Sequence, residues 1–256
     1  MWRKIRIVVL LLVLAVVAWE YWYDRLSTTD WDETLTVGIF PIDEPDNAVS
    51  SAYVASLTDA DVADIETFLN EEAARYGIDI DRPVAVKLYK PVTERPPQRP
   101  GDSGPLDNLW FSLKMRMYAS RNSRLSGRPP QIRIFVRFHD PGDTQSVPHS
   151  LGMQKGLVGL VHAFASPGQR AQNNVVIAHE ILHTLGATDK YDAATLALLV
   201  PQGLADPDRS PLYPQDFAEL MARQVALSAT TSEMPASLAD VQVGETTARE
   251  IRWVRE

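Results

Sequence analysis

The chain has 256 residues, 45% hydrophobic and 23% charged, with a formal net charge of −8 and no cysteine. These proportions belong to a globular protein able to bury a sizeable core, and the lack of cysteine excludes disulfides and thiolate-held zinc, leaving His, Asp and Glu as the strong metal ligands. The first 25 residues carry +2, so the remainder carries −10, a body that nucleic acid repels; no nucleic-acid partner is expected.

Residues 1–25 open with Met-Trp-Arg-Lys-Ile-Arg and continue as an apolar run from Ile7 to Trp19, followed by Tyr21, Trp22 and Tyr23. A basic start before such a run reads as an export signal with its N-terminus in the cytoplasm. As a helix the run spans only ~20 Å against a ~30 Å hydrocarbon core, which fits a cleaved signal peptide. The aromatic belt and snorkelling Arg3, Lys4 and Arg6 lengthen it and favour a retained anchor. The expectation is a single-pass membrane protein of the cell envelope, with the rest of the chain on the periplasmic or extracellular side, or a secreted protein after cleavage.

Thr34 to Phe40 reads as a strand closed by Pro41, and Thr58 with Asp61 as a capping box opening an amphipathic helix to Tyr76, stopped by Gly77. Pro83 to Lys90 is a second strand. The proline-rich stretch 91–105 is a loop, because proline lacks an amide donor and fixes the backbone. Leu106 to Asn122 has helical spacing in Leu109, Trp110, Leu113 and Met117, with Met115 and Met117 expected to fill core. Gln131 to Phe138 alternates as a strand with one buried face, and Leu157 to Ala165 is another. His139, Asp140 and His149 fall in a loop where a second metal site is conceivable, and His162 is a possible alternative ligand. Four prolines between 193 and 216 make that region irregular, and a helix is expected around Thr246 to Val254.

Residues 175 to 192 carry the chemistry: Val-Val-Ile-Ala-His-Glu-Ile-Leu-His-Thr-Leu-Gly-Ala-Thr-Asp-Lys-Tyr-Asp. On a helix, His179 and His183 project from one side a turn apart, close enough to share a metal ion. Glu180 beside them is placed to activate a water molecule without ligating the metal. Gly186 ends the helix, since glycine accepts the left-handed conformation common at a C-terminus. Three residues later Asp189 can supply a third ligand.

His179-Glu180-x-x-His183-x-x-Gly186-x-x-Asp189 resembles the zinc signature of the metzincin metallopeptidases, in the aspartate variant similar to that of snapalysin-type enzymes. Phe217-Ala218-Glu219-Leu220-Met221-Ala222 resembles the methionine turn of that family; Met234 is a second candidate. Arg223 stands where many members carry tyrosine. The order strand, helix, strand, helix, strand, strand, metal helix indicates an α+β or α/β lobe, a sheet backed by helices, and the resemblance implies an α+β fold of the same kind: a mixed β-sheet backed by helices, with the active-site helix, and a smaller irregular C-terminal lobe. The division expected is 1–25 signal segment, 26–186 catalytic lobe, and 187–256 lobe bearing the third ligand and methionine turn. It also implies a zinc-dependent peptidase acting on protein or peptide, with Glu180 catalytic and Zn2+ held by His179, His183 and Asp189. Two alternatives stay open: zinc held by Glu219 as third ligand, and a membrane-tethered scaffold with an inert or structural metal site.

Overall fold

A computed structural model describes Arg6 and residues 28–98, 104–124 and 129–254. The described elements are β1 (Leu35–Ile42), α1 (Ala48–Ser56), α2 (Ala63–Arg75), β2 (Val84–Leu88), α3 (Pro105–Ser123), β3 (Ile132–His139), β4 (Leu151–Met153), β5 (Val158–Phe164), α4 (Arg170–Leu185) and α5 (Glu245–Glu250). Between α4 and α5 lie four two-residue strands, β6 (Ala218–Glu219), β7 (Val225–Ala226), β8 (Ser232–Glu233) and β9 (Val241–Gln242).

The fold is mixed α and β. The main sheet runs β2-β1-β3-β5-β4, with the first four strands parallel and β4 antiparallel at the edge. Parallel strands need helical crossovers that cover both faces, so their side chains are buried on both sides. In β3, Ile132, Ile134, Val136 and Phe138 enter the core shared with α2 and α4, while Phe135 enters a second core under α3 with Phe111, Met115 and Tyr118. The one-sided strand read from the alternation of β3 is thereby revised: Phe135 is fully buried. β1 runs on through Pro41 to Ile42, where the expected strand stopped.

Two elements carried no clear signal in the sequence. α1 is capped by Asn47, whose side chain accepts from Ser50 N, but it has little amphipathic patterning. β4 is three residues long and held by pairing with β5. Met117 is 52% exposed, and Leu109, Trp110 and Leu113 face solvent with it; of the two methionines expected in the core, Met115 alone is there.

Among the described residues, those after α4 build no core of their own. Ala218, Leu220, Met221, Val243, Ile251 and Trp253 join the cluster that contains Ile181 and Leu182 of α4. Glu72 of α2 accepts from Val243 N at 2.6 Å, and Trp31 Nε1 donates to Ile251 O at 2.8 Å. Lys190 is buried and pairs with Glu250 at 2.7 Å. These ties fix the segment after α4 against the sheet lobe.

The expectation of a single-pass membrane protein in a cell envelope is corrected: no helix among the described residues is long and apolar enough to cross a membrane. The longest, α3, breaks its apolar residues with Asp107, Lys114, Arg116 and Arg121, and each charge is costly in hydrocarbon. Apart from Arg6, the run on which that expectation rested, and the segment 1–25, lie outside the described residues.

Candidate metal centre

α4 places His179 and His183 on one side because they are a turn apart, and its core residues Val175, Ile181, Leu182 and Leu185 seat the other sides against the sheet. Gly186 ends it at φ +107°, and the amide of Ala187 donates back to Leu182 O at 3.0 Å, a closure that needs the left-handed conformation. The reversal returns Asp189 to the histidines: its Oδ1 is 3.2 Å from His179 Nε2 and 3.1 Å from His183 Nε2, and the two Nε2 atoms are 3.0 Å apart.

Backbone carbonyls fix the tautomers. His179 Nδ1 donates to Leu220 O at 3.1 Å and His183 Nδ1 to Ala187 O at 2.8 Å, because a carbonyl can only accept. Each neutral ring therefore presents a bare lone pair at Nε2. While both rings are neutral, two lone pairs and a carboxylate oxygen converge, an arrangement that repels itself unless a proton or a metal cation enters to be shared among them. Tetrahedral zinc with ligands at ~2.0–2.1 Å has ligand-to-ligand edges of about 3.3 Å; the observed triangle is close to that size. The residues fit a divalent cation that takes nitrogen and oxygen donors.

Electrostatics agree. Burial tends to raise the Asp189 carboxyl, but hydrogen bonds from His179 and His183 outweigh it and hold the group well below the usual carboxylate range. Burial lowers His179 to about 4, while His183 is raised because Asp189 and Glu180 outweigh its burial. Glu180 is pushed up to about 7, chiefly by burial. Its Oε2 is buried and makes no hydrogen bond, although the Gly152 amide exerts a lowering pull on the carboxylate. Among the described residues, His179, Glu180 and His183 are the group of metal-ligating side chains whose ligand atoms lie within 4.8 Å of one another; Asp189 approaches the imidazoles more closely than that.

The remaining candidates fall elsewhere. Glu219 is buried and occupied: Thr247 Oγ1 donates to its Oε1 at 2.6 Å, Gly244 N at 3.2 Å, and Ala222 N donates to Oε2 at 2.9 Å. It stitches the turn 219–223 to α5, with both carboxylate oxygens engaged by buried donors. Met221 is fully buried on that turn, next to the residue whose carbonyl orients His179. Met234 is 47% exposed and lines a cleft instead. His162 Nδ1 meets His139 Nε2 at 2.8 Å, and among the described residues no third ligand joins that pair.

Three participants escape a sequence reading. Tyr191 accepts a hydrogen bond from Arg223 Nη2 at 2.9 Å and donates toward Asp189, so it ties Asp189 to a guanidinium. Arg223, at φ +56° on the turn 219–223, lines a cleft of about 300 Å3 with Val176, Gln172, His162 and Met234. Gly152 brings β4 onto α4: a Cβ there would sit 2.5 Å from Glu180 O and 2.6 Å from His183 Cβ. The position of a tyrosine two residues after Asp189 is the local signal that could have pointed to Tyr191, whereas nothing local marks Gly152.

A scan of protein-family models finds none that matches this chain, and a search of curated proteins finds no match either.

Proposed function

We propose that the chain is a zinc-dependent peptidase. The observation that carries the reading is the convergence of His179 Nε2, His183 Nε2 and Asp189 Oδ1, with the unpartnered Glu180 Oε2 beside them. Zinc held by the three would polarise a substrate carbonyl and acidify a water molecule. Glu180 holds and moves the proton: with its pKa raised to about 7 by burial, it can take a proton from the attacking water and return it to the leaving amine near neutral pH. Leu220 O and Ala187 O keep both imidazoles in the ligating tautomer. Arg223, tethered by the Tyr191 hydroxyl, brings positive charge to the cleft wall, where it can meet the carbonyl oxygen as negative charge develops. The free edge of β4, beside Glu180 at Gly152, offers an extended peptide a strand to pair with.

The test is cleavage of a denatured protein by purified chain. Activity should disappear with chelator and return with zinc. Glu180→Gln should keep its metal yet lose roughly 10²- to 10⁴-fold in rate, the usual worth of a general base. Full cleavage by a metal-loaded Glu180→Gln chain would refute the proposal.

A further inference from the structure

α3 is apolar on two sides. Phe111, Met115, Tyr118 and Ala119 lie buried against the sheet. On the opposite side, Leu106, Leu109, Trp110, Leu113 and Met117 are 79%, 68%, 57%, 45% and 52% exposed. Single exposed apolar residues are ordinary on a protein surface; a contiguous row of five large ones along one helix is not. Leu106, Trp110, Leu113 and Met117 succeed one another at intervals of four, three and four, the 3.5-residue repeat of a seam that packs along another helix. From those fractions their exposed side chains amount to roughly 600 Å2, so a symmetric pair that covered all of them would bury up to about 1,200 Å2, the lower end of specific stable interfaces.

We infer that this face of α3 is a self-association surface, on which a second copy of the chain lays its own α3 antiparallel about a two-fold axis. The charge pattern selects both occupant and direction. Asp107 sits exposed near the start of the row, and Lys114, also exposed, a turn past the centre. With the axis between Trp110 and Leu113, Leu106 of one copy faces Met117 of the other, Trp110 faces Leu113, and Asp107 comes beside Lys114. A parallel pair would put the Asp107 of one copy and the Lys114 of the other on opposite flanks of the seam, losing that charge pairing, and would align the helix dipoles unfavourably. An anionic lipid surface suits the face less well, because the chain carries a net charge of −8. α3 and α4 pack on opposite faces of the sheet, so pairing leaves the metal centre open and stands independently of the peptidase proposal.

The absence of cysteine makes the test clean. Full-length Leu106→Cys and Met117→Cys chains, mixed under oxidising conditions, should give a disulfide-linked dimer, while neither links alone. In the antiparallel register two copies of residue 106 are about 16 Å apart along the axis, well past the ~7 Å limit between bridged Cα atoms. By sedimentation at micromolar concentration the unaltered chain should show twice its 28.5 kDa mass, and Leu113→Glu should return it to a single copy with an unchanged circular dichroism spectrum. A wild-type monomer with no link in the mixture would overturn the inference. So would linkage of Leu106→Cys alone, which means a parallel pair. A monomer that binds phosphatidylglycerol vesicles through these side chains would also overturn it, by assigning the face to lipid.

Discussion

Glu219→Ala separates a structural carboxylate from a metal ligand. In the folded chain this side chain accepts from Thr247 Oγ1, Gly244 N and Ala222 N, all buried. Truncation leaves three donors without an acceptor, and each buried group so stranded costs about 1–3 kcal/mol before relaxation. Some of that is recovered as the site collapses, so the expected loss is about 3–5 kcal/mol, the range seen when one partner of a buried charged interaction is removed. For a chain of this size 1 kcal/mol moves the thermal midpoint by roughly 2–4 °C, which puts the shift near 10 °C. The assay is thermal or urea unfolding in chelator, so that metal binding does not contribute, with zinc affinity titrated separately well below the midpoint. Zinc affinity should stay within a few-fold of the parent. A Glu219→Ala chain that unfolds at the parent midpoint but loses zinc would refute the reasoning and make Glu219 the third ligand.

Other substitutions probe the surroundings of the site. Gly152→Ala forces a methyl against Glu180 O and His183 Cβ; neither is the free end of a side chain, so β4 must shift, at about 1–3 kcal/mol. Its thermal midpoint should fall, and cleavage should drop more steeply than stability; a parent-like midpoint would show that the two elements are not in that contact. Arg223→Gln should lower the rate constant for cleavage more than it raises KM, and Tyr191→Phe should do so more weakly because only the tether is lost; a pure KM effect would limit Arg223 to substrate binding. Burial, with the charges of His139 and Arg137, lowers His162 to about 4 from the ordinary imidazole value of 6.5. The unfolded chain therefore takes up more protons between those values, so stability is intact above pH 6.5 and declines as pH falls toward 4, by about 3 kcal/mol at most. His162→Gln should flatten that part of the urea-midpoint profile; an unchanged slope would locate the proton uptake elsewhere.

The parts of the fold that are legible in the sequence are those where one local pattern meets one local constraint. The helix bearing His179 and His183 could be read because its apolar spacing and its stop at Gly186 are set within a few residues. The strands β1, β2, β3 and β5 were legible within a few residues at their ends. What was not legible depends on distant partners. Phe135 looked like the outward face of a half-exposed strand until α3, joined through the proline-rich loop, is seen to cover it. Leu109, Trp110 and Leu113 share helical spacing with the core residues of α3 yet face solvent, because spacing identifies a face and not what lies against it. β4 is too short for a pattern, and the need for glycine at 152 comes from a helix that begins 18 residues later. At the site the motif named Glu180, His179, His183 and Asp189; the carbonyls of Leu220 and Ala187 that fix the tautomers have no side-chain signature at all.

The central claim is that Asp189 and the two histidines share one cation, and metal stoichiometry tests it most directly. Purified chain, stripped and then titrated with zinc, should bind one ion per chain, and Asp189→Ala should weaken that binding by well over tenfold while leaving a folded protein, since Asp189 is partly exposed and water can reach the groups it leaves. Unaltered affinity in Asp189→Ala, or a parent chain that takes up no zinc, would contradict the account.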